Sequence, residues 1–244
     1  MKKKIAVIGS GIAGLTIANL FKKNLNFEIV VYEKEKMLSL EEGYGIQLAP
    51  NSVSILNKIG LSSINNKEFS NPSNLNFYSN DNHKICDLNL SRFNSEEFKY
   101  TTLKRSVLIE FLKNKLFANN LRFGKEVKKI SQIKEKLLIN FKDNTNDLVD
   151  FIVVSDGVFS NTKSIVENKS IQPVYNGSIA IRTILKNLPE SNYDKNSISL
   201  VMLKNAHIVI YPINKKGEFN VVCIIRQKLS NNIDLKALIK KEII

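Results

Sequence analysis

Six residues near the start of the chain, Gly9-Ser10-Gly11-Ile12-Ala13-Gly14, have the types and spacing to hold a phosphate. In a G-x-G-x-x-G run the first glycine permits a tight turn and the second lets a pyrophosphate approach the backbone. The third lets a helix pack closely on a strand. Free N–H groups at the helix N-terminus, aligned with the helix dipole, then face the anion. An acid, Glu33, follows Gly14 by about twenty positions, the spacing at which a carboxylate accepts the hydroxyls of an adenosine ribose. Lys34 comes directly after it. A carboxylate at Glu33 repels a 2′-phosphate, which argues against NADP at this place.

The surrounding elements are those such a run needs. Residues 3–9 read as a buried strand, a short β-branched stretch closed by glycine. Helical spacing of Ile12, Leu15, Ile17, Ala18, Leu20 and Phe21 predicts a helix over 12–23, and 27–33 read as a second apolar strand. Strand, helix, strand makes a βαβ unit with a parallel sheet. Beyond it the pattern predicts a glycine-marked loop over 41–48 and a helix over 50–59 ended by Gly60. A polar stretch follows over 62–100, with strands near 75–78 and 84–88, and then a helix over 105–117. Strands are expected at 125–132, 136–141 and 150–155, with Asn144 in a turn between the last two and Asp156-Gly157 closing the third. Four further strands, at 178–185, 198–203, 207–211 and 219–226, suggest an antiparallel sheet, and a last helix begins near Asp234.

Composition narrows the function classes. The chain has 244 residues, with 36 Lys+Arg against 23 Asp+Glu, a net charge of +13. The lysines are scattered, many beside acids, and form no block of like charge, so the excess reads as a solvated surface and not as a nucleic-acid footprint. Two distant cysteines, Cys86 and Cys223, exclude a disulfide scaffold and a C-x-x-C site. With only His83 and His207 available, a protein zinc site is not expected. No apolar run approaches the length of a membrane span, and the basic start Lys2-Lys3-Lys4 lacks a following signal-peptide core. The reading is cytoplasmic.

Several later runs carry a resemblance. They are Gly43-Tyr44-Gly45-Ile46-Gln47-Leu48-Ala49-Pro50-Asn51, Leu103-Lys104-Arg105-Ser106-Val107-Leu108, and Val153-Val154-Ser155-Asp156-Gly157-Val158-Phe159-Ser160. With Tyr175-Asn176-Gly177, Ala180-Ile181-Arg182 and Val209-Ile210-Tyr211-Pro212, they make the chain resemble the flavin-dependent aromatic monooxygenases of the p-hydroxybenzoate and salicylate hydroxylase type. The resemblance implies an α/β fold. A Rossmann-like FAD-binding domain over 1–170 would be interleaved with an incomplete antiparallel-sheet substrate domain over 171–244, to which 62–100 also contribute. It implies FAD as bound cofactor, with Gly9 to Gly14 at its pyrophosphate, Glu33 and Lys34 at its adenosine, Arg105 at its ribityl–pyrophosphate part and Asp156 near the pyrophosphate. NAD(P)H would be the transient reductant, and O2 and a small phenolic-acid-like aromatic the substrates. Gln47, Arg182 and Tyr211 would lie nearest the flavin or substrate.

The chain also departs from the family pattern. Val154-Ser155 stand where a Gly-Ala pair usually precedes Asp-Gly, and Lys163 stands in place of an arginine. The later Gly-Asp motif does not occur in these residues, so a C-terminally truncated member is expected. Alternative readings are an FAD-binding fragment without activity, or a ubiquinone-pathway or lipid-directed FAD hydroxylase or reductase whose basic surface meets anionic membrane. Oligomeric state is not encoded in any motif.

Overall fold

The computed structural model describes residues 2–38, 44–186, 188 and 193–228. The described chain divides into two compact units that alternate along the sequence. The first comprises Met1–Glu42, Lys58–Leu61 and Leu108–Pro173, the second Gly43–Asn57, Ser62–Val107 and Val174–Ile244.

The first unit is built on a four-stranded parallel sheet. Its order is Phe151–Val154, Lys3–Ile8, Phe27–Tyr32, Leu121–Arg122. Lys3–Ile8 and Phe27–Tyr32 are joined through the helix Ile12–Phe21, so the βαβ unit forms as expected. Their last four residues are buried in each case. A parallel sheet covered on both faces selects such continuous apolar runs. Ala6, Ile8, Val30 and Tyr32 pack against Val127, Ile139, Phe141 and Val149 of a three-stranded antiparallel sheet, Val127–Ile133, Lys136–Phe141 and Asn146–Val149. Lys136–Phe141 explains the packing best, with apolar Leu137, Ile139 and Phe141 at every second position on the covered face. Asn144 turns the last hairpin with φ 64°. That hairpin leads into Asn146–Val149, a strand not expected from the sequence, and Phe151–Val154 follows it after a single residue. Its polar start, Asn146-Asp147, masks the strand pattern. Asp147 accepts a bond from the Tyr32 hydroxyl and one from Lys4 Nζ (2.7 Å), tying this strand to the parallel sheet.

The second unit contains a six-stranded sheet. Its order is Ser178–Lys186, Glu218–Arg226, Ala206–Pro212, Ile198–Met202, Asn74–Tyr78, Lys84–Asn89. The four strands from Ser178 onward pair antiparallel, as expected from the sequence, and Asn74–Tyr78 pairs antiparallel with Lys84–Asn89; the junction of Ile198–Met202 with Asn74–Tyr78 is parallel. The long sequence separation of this pair hides it from local pattern. A second, three-stranded antiparallel sheet joins Gly45–Leu48, Thr101–Lys104 and Phe69–Ser70. Residues 45–48, expected as loop, are therefore a strand. Their pairing with Thr101–Lys104 overrides the glycine signal. Leu90, Ile198, Tyr211, Ile213 and Val222 form the core of this unit, with Tyr100, Ile184 and Val209 against it.

The helix Pro50–Asn57 lies within the expected span, and the helix Arg105–Asn114 stops short of 117. A short helix, Asn161–Val166, was not expected. The helix expected from Asp234 lies outside the described residues. Among the described residues no helix is long and apolar enough to cross a membrane.

Candidate functional site

The glycine run occupies the carboxyl edge of the first unit's parallel sheet, where ligands bind in open α/β sheets. The Gly9 N–H donates to the Tyr32 carbonyl (2.8 Å). Gly9 has φ +100°, and a Cβ there would stand 2.6 Å from the Ser155 carbonyl oxygen. That turn accepts only glycine. A Cβ on Gly14 would come within 2.0 Å of the Gly9 carbonyl oxygen, so the helix packs directly on the turn. Gly11 is the opposite case, since a Cβ there would meet nothing within 4 Å. The space over it is open, as close approach by a pyrophosphate requires. Ile12 and Ala13 open the helix Ile12–Phe21 immediately behind it.

Glu33 turns back on this loop. Its Oε2 accepts the Ser10 N–H (2.9 Å) and the Ser10 hydroxyl (2.6 Å), and its Oε1 accepts the Glu35 N–H (3.1 Å). Partial burial opposes its charge. The donors, led by the Ser10 hydroxyl, outweigh that penalty and hold the carboxyl below the usual carboxylate range. Glu33 is therefore an anion at neutral pH, an acceptor for hydroxyl groups. Together with Gly9, Lys34, Val127, Asp156 and Thr162 it lines a cleft of the first unit. Lys34 is exposed and pairs with Glu35 at 3.8 Å.

Asp156 is held in that cleft by the turn after Phe151–Val154. It accepts the Ser160 hydroxyl, and Ser160 in turn caps Asn161–Val166 by accepting the Lys163 N–H (2.9 Å). Ser155, where the family pattern has alanine, donates its hydroxyl to the Ile8 carbonyl (2.8 Å). This bond stitches the strand end to the start of the glycine turn. Sequence reasoning missed it. The only available signal was the departure from alanine itself.

In the second unit the structure brings together three residues predicted from the sequence, Gln47, Arg182 and Tyr211. Gln47 Oε1 accepts the Tyr100 hydroxyl (2.8 Å). Tyr211 is 4% exposed. Burial pushes its phenol up to about 12, with the Arg182 charge and a bond from Gln47 acting against burial and nearby Tyr100 acting with it. Burial also raises Tyr100. The cluster thus keeps two phenols protonated beside an arginine. Asn220, opposite Tyr211 in register, has its Oδ1 bonded to the Gly45 N–H (2.7 Å) and anchors the strand that carries Gln47. Tyr100 and Asn220 were both missed, although Asn220 is a polar interruption in the apolar run Phe219 to Ile225. Arg105, also of the second unit, opens the helix Arg105–Asn114, and its N–H donates to the Tyr44 carbonyl (2.8 Å).

Residues 7–41 match the model of the NAD(P)-binding Rossmann-like domain. The 6-hydroxynicotinate 3-monooxygenase of Pseudomonas fluorescens is 27% identical over 190 residues, covering 74% of this chain and 47% of that protein. The 3-amino-4-hydroxybenzoate 2-monooxygenase PtnB3 of Streptomyces platensis is 26% identical over 222 residues, covering 88% of this chain and 54% of that protein. Among solved structures, Klebsiella pneumoniae HpxO complexed with FAD and uric acid superposes with a TM-score of 0.82 at 19% identity, over 97% of this chain and 59% of that one. A salicylate hydroxylase substrate complex gives 0.77 at 17% identity, over 96% of this chain and 59% of that one. The chain spans about half the length of the curated relatives it matches. Its homologues are FAD-dependent aromatic monooxygenases, and its fold is the one their FAD-binding hydroxylase structures share.

Proposed function

We propose that this chain carries the FAD-binding part and the substrate sheet of a monooxygenase that hydroxylates a small aromatic ring with NAD(P)H and O2. The observation that carries this reading is the glycine turn with an ionised Glu33 folded against it and open space over Gly11. The residues present fit the dinucleotide. Gly9 to Gly14 suit the pyrophosphate, Glu33 the adenosine ribose with Lys34 beside it, and Asp156, held by the Ser160 hydroxyl, lines the same cleft. A bound flavin would supply the electron transfer from NAD(P)H and the activation of O2.

The chain's own contribution is positioning, charge and exclusion of water. In the second unit, Arg182 offers a cation to an acidic group on the ring. Tyr100 and Tyr211, held protonated, donate hydrogen bonds and do not act as bases near neutral pH. The ring hydroxyl is oriented between such donors and the Gln47 amide. Relatives named for hydroxynicotinate and aminohydroxybenzoate support an aromatic acid as substrate class. An exposed free thiol at Cys86 and the use of NAD(P)H fit a reducing, cytoplasmic setting.

The test begins with the purified chain titrated with FAD, followed by flavin fluorescence. Quenching that saturates, and that is lost in Glu33→Ala, is the expected result. NAD(P)H oxidation is then measured with a panel of hydroxy- and aminohydroxy-aromatic acids, with mass spectrometry for a one-oxygen product. A chain that neither quenches flavin nor retains it on gel filtration sinks the proposal.

A further inference from the structure

We propose that the first unit docks on an anionic lipid bilayer through the face at the far end of the helix Ile12–Phe21, with Lys22, Lys23, Lys58 and Lys115 at the headgroups and Leu25 and Phe117 set between them. The four lysines are dispersed in sequence, yet all belong to the first unit and the fold closes them into one group. Lys22 and Lys23 follow a helix whose N-terminus faces the glycine turn, so about 15 Å of helix separates them from it. The Lys22 ammonium donates to the Lys115 carbonyl, and the Lys23 ammonium to the Lys58 carbonyl. A Cβ on Gly60 would lie 3.6 Å from Lys115 Nζ, which puts that ammonium over the turn just after Lys58.

None of the four ammoniums is ion-paired to a carboxylate among the described residues. The carbonyls they meet are dipoles, so the positive charge of the group stays uncompensated. Burial, and then the charge of Lys115, hold the Lys22 ammonium below its ordinary value. An anion drawn to the group relieves that repulsion. Two large apolar side chains stand exposed beside it. Leu25, 79% exposed, comes just after Lys23, and Phe117, 71% exposed, comes just after Lys115 with its ring 5.0 Å from Lys22 Nζ. A nucleic acid in water gains little from Leu25. A bilayer interface takes both, burying leucine and phenylalanine below the phosphates while the ammoniums remain at them. That pairing of charge with apolar tips favours a lipid surface.

The probe is a vesicle of phosphatidylcholine, with or without about a third phosphatidylglycerol, sedimented with the full chain. The chain should pellet with the anionic vesicles and not with the neutral ones, and should be released between about 50 and 500 mM salt as the Debye length contracts. A lysine near such a surface contributes about fivefold, so Lys23→Gln/Lys58→Gln should lower partitioning about 25-fold. Lys128→Gln/Lys129→Gln removes the same net charge from the strand Val127–Ile133 and should change it by less than about twofold. Phe117→Ser should lower it about tenfold, and Phe117→Trp should restore it. Equal binding to both vesicles, equal loss in the two lysine pairs, or no loss in Phe117→Ser overturns the proposal. So does a chain that binds a DNA duplex and not the vesicles. Should a variant fold poorly, the wild type alone decides, since absence from the anionic pellet at low salt is a refutation. Flavin quenching in the same preparations keeps the two readings apart. Vesicle binding without quenching removes the flavin site only, and quenching without vesicle binding removes the docking surface only.

Discussion

Replacing Glu33 by glutamine tests the central geometry directly. Glutamine keeps the length of the side chain but converts one acceptor oxygen into a donor. Glu33 accepts from Ser10 N–H and hydroxyl on one oxygen and from Glu35 N–H on the other. Whichever way the new amide lies, its NH2 confronts a backbone N–H. The better orientation keeps the oxygen on Ser10, which is 2% exposed, and abandons the Glu35 N–H. The bonds that remain lose their charge assistance. Hydrogen bonds to a charged group contribute about 1.5–3 kcal/mol and neutral ones about 1, so the variant should be less stable by about 2–3 kcal/mol at neutral pH.

The pH dependence carries the sign. Because the folded-state carboxyl titrates below its ordinary value, its contribution is fully present above the unfolded value and is lost as pH falls through the folded one. The gap between wild type and Glu33→Gln should therefore be full near pH 7 and close progressively below about pH 4. Urea unfolding followed by circular dichroism, at neutral pH and near pH 3.5, measures both. All other carboxylates are common to the two proteins and drop out of the difference. Equal stability at neutral pH refutes the bonding scheme. A gap that persists unchanged in acid refutes the assignment of the effect to the ionised carboxylate.

Gly14→Ala puts a methyl within 2.0 Å of the Gly9 carbonyl oxygen and should cost about 3 kcal/mol or more, whereas Gly11→Ala, into open space, should shift stability by under about 0.5 kcal/mol yet abolish ADP binding. Melting curves and nucleotide titration of the pair separate fold from site. Spectrophotometric titration of tyrosine should show a phenol ionising only at about pH 12 that disappears in Tyr211→Phe; its persistence would mean that another tyrosine occupies that environment. Asp147→Ala leaves the Tyr32 hydroxyl without its acceptor and the Lys4 ammonium with Glu28 at 4.0 Å in place of its closer carboxylate, and should destabilise the chain by about 3 kcal/mol, detectable as a lower urea midpoint. A midpoint within error of wild type would show that Lys4 and Tyr32 recover other partners.

What the sequence disclosed follows the range of the forces involved. Gly9 to Gly14 and Glu33 belong to one βαβ unit, so their roles are written in local spacing, and strand, turn and helix agree with it. Apolar runs such as Ala6 to Ile8 and Val30-Val31 announced buried strands for the same reason. The strand Gly45–Leu48 was hidden because its pairing with Thr101–Lys104 is what makes it a strand, and no local pattern encodes a partner so distant. The hydroxyl of Tyr100 reaches Gln47 across 53 positions, and the Asn220 side chain reaches Gly45 across 175. Resemblance named Gln47, Arg182 and Tyr211 as a group, but the bonds among their neighbours required coordinates. Ser10 was visible as a letter inside the fingerprint. Its grip on Glu33 was not.

The order of strands in the first unit has a consequence for synthesis. Lys3–Ile8 is flanked by Phe27–Tyr32, made soon after it, and by Phe151–Val154, made much later. Lys4 and Asp150, which share a bond, lie 146 positions apart. At about 5–20 residues per second the first strand waits roughly seven to thirty seconds on the ribosome for its second neighbour. During that interval one edge of a β-branched, apolar strand is without its partner while the intervening segments, including much of the other unit, are still emerging. Until residue 154 clears the exit tunnel, that open edge is where a wrong strand can pair with the nascent chain.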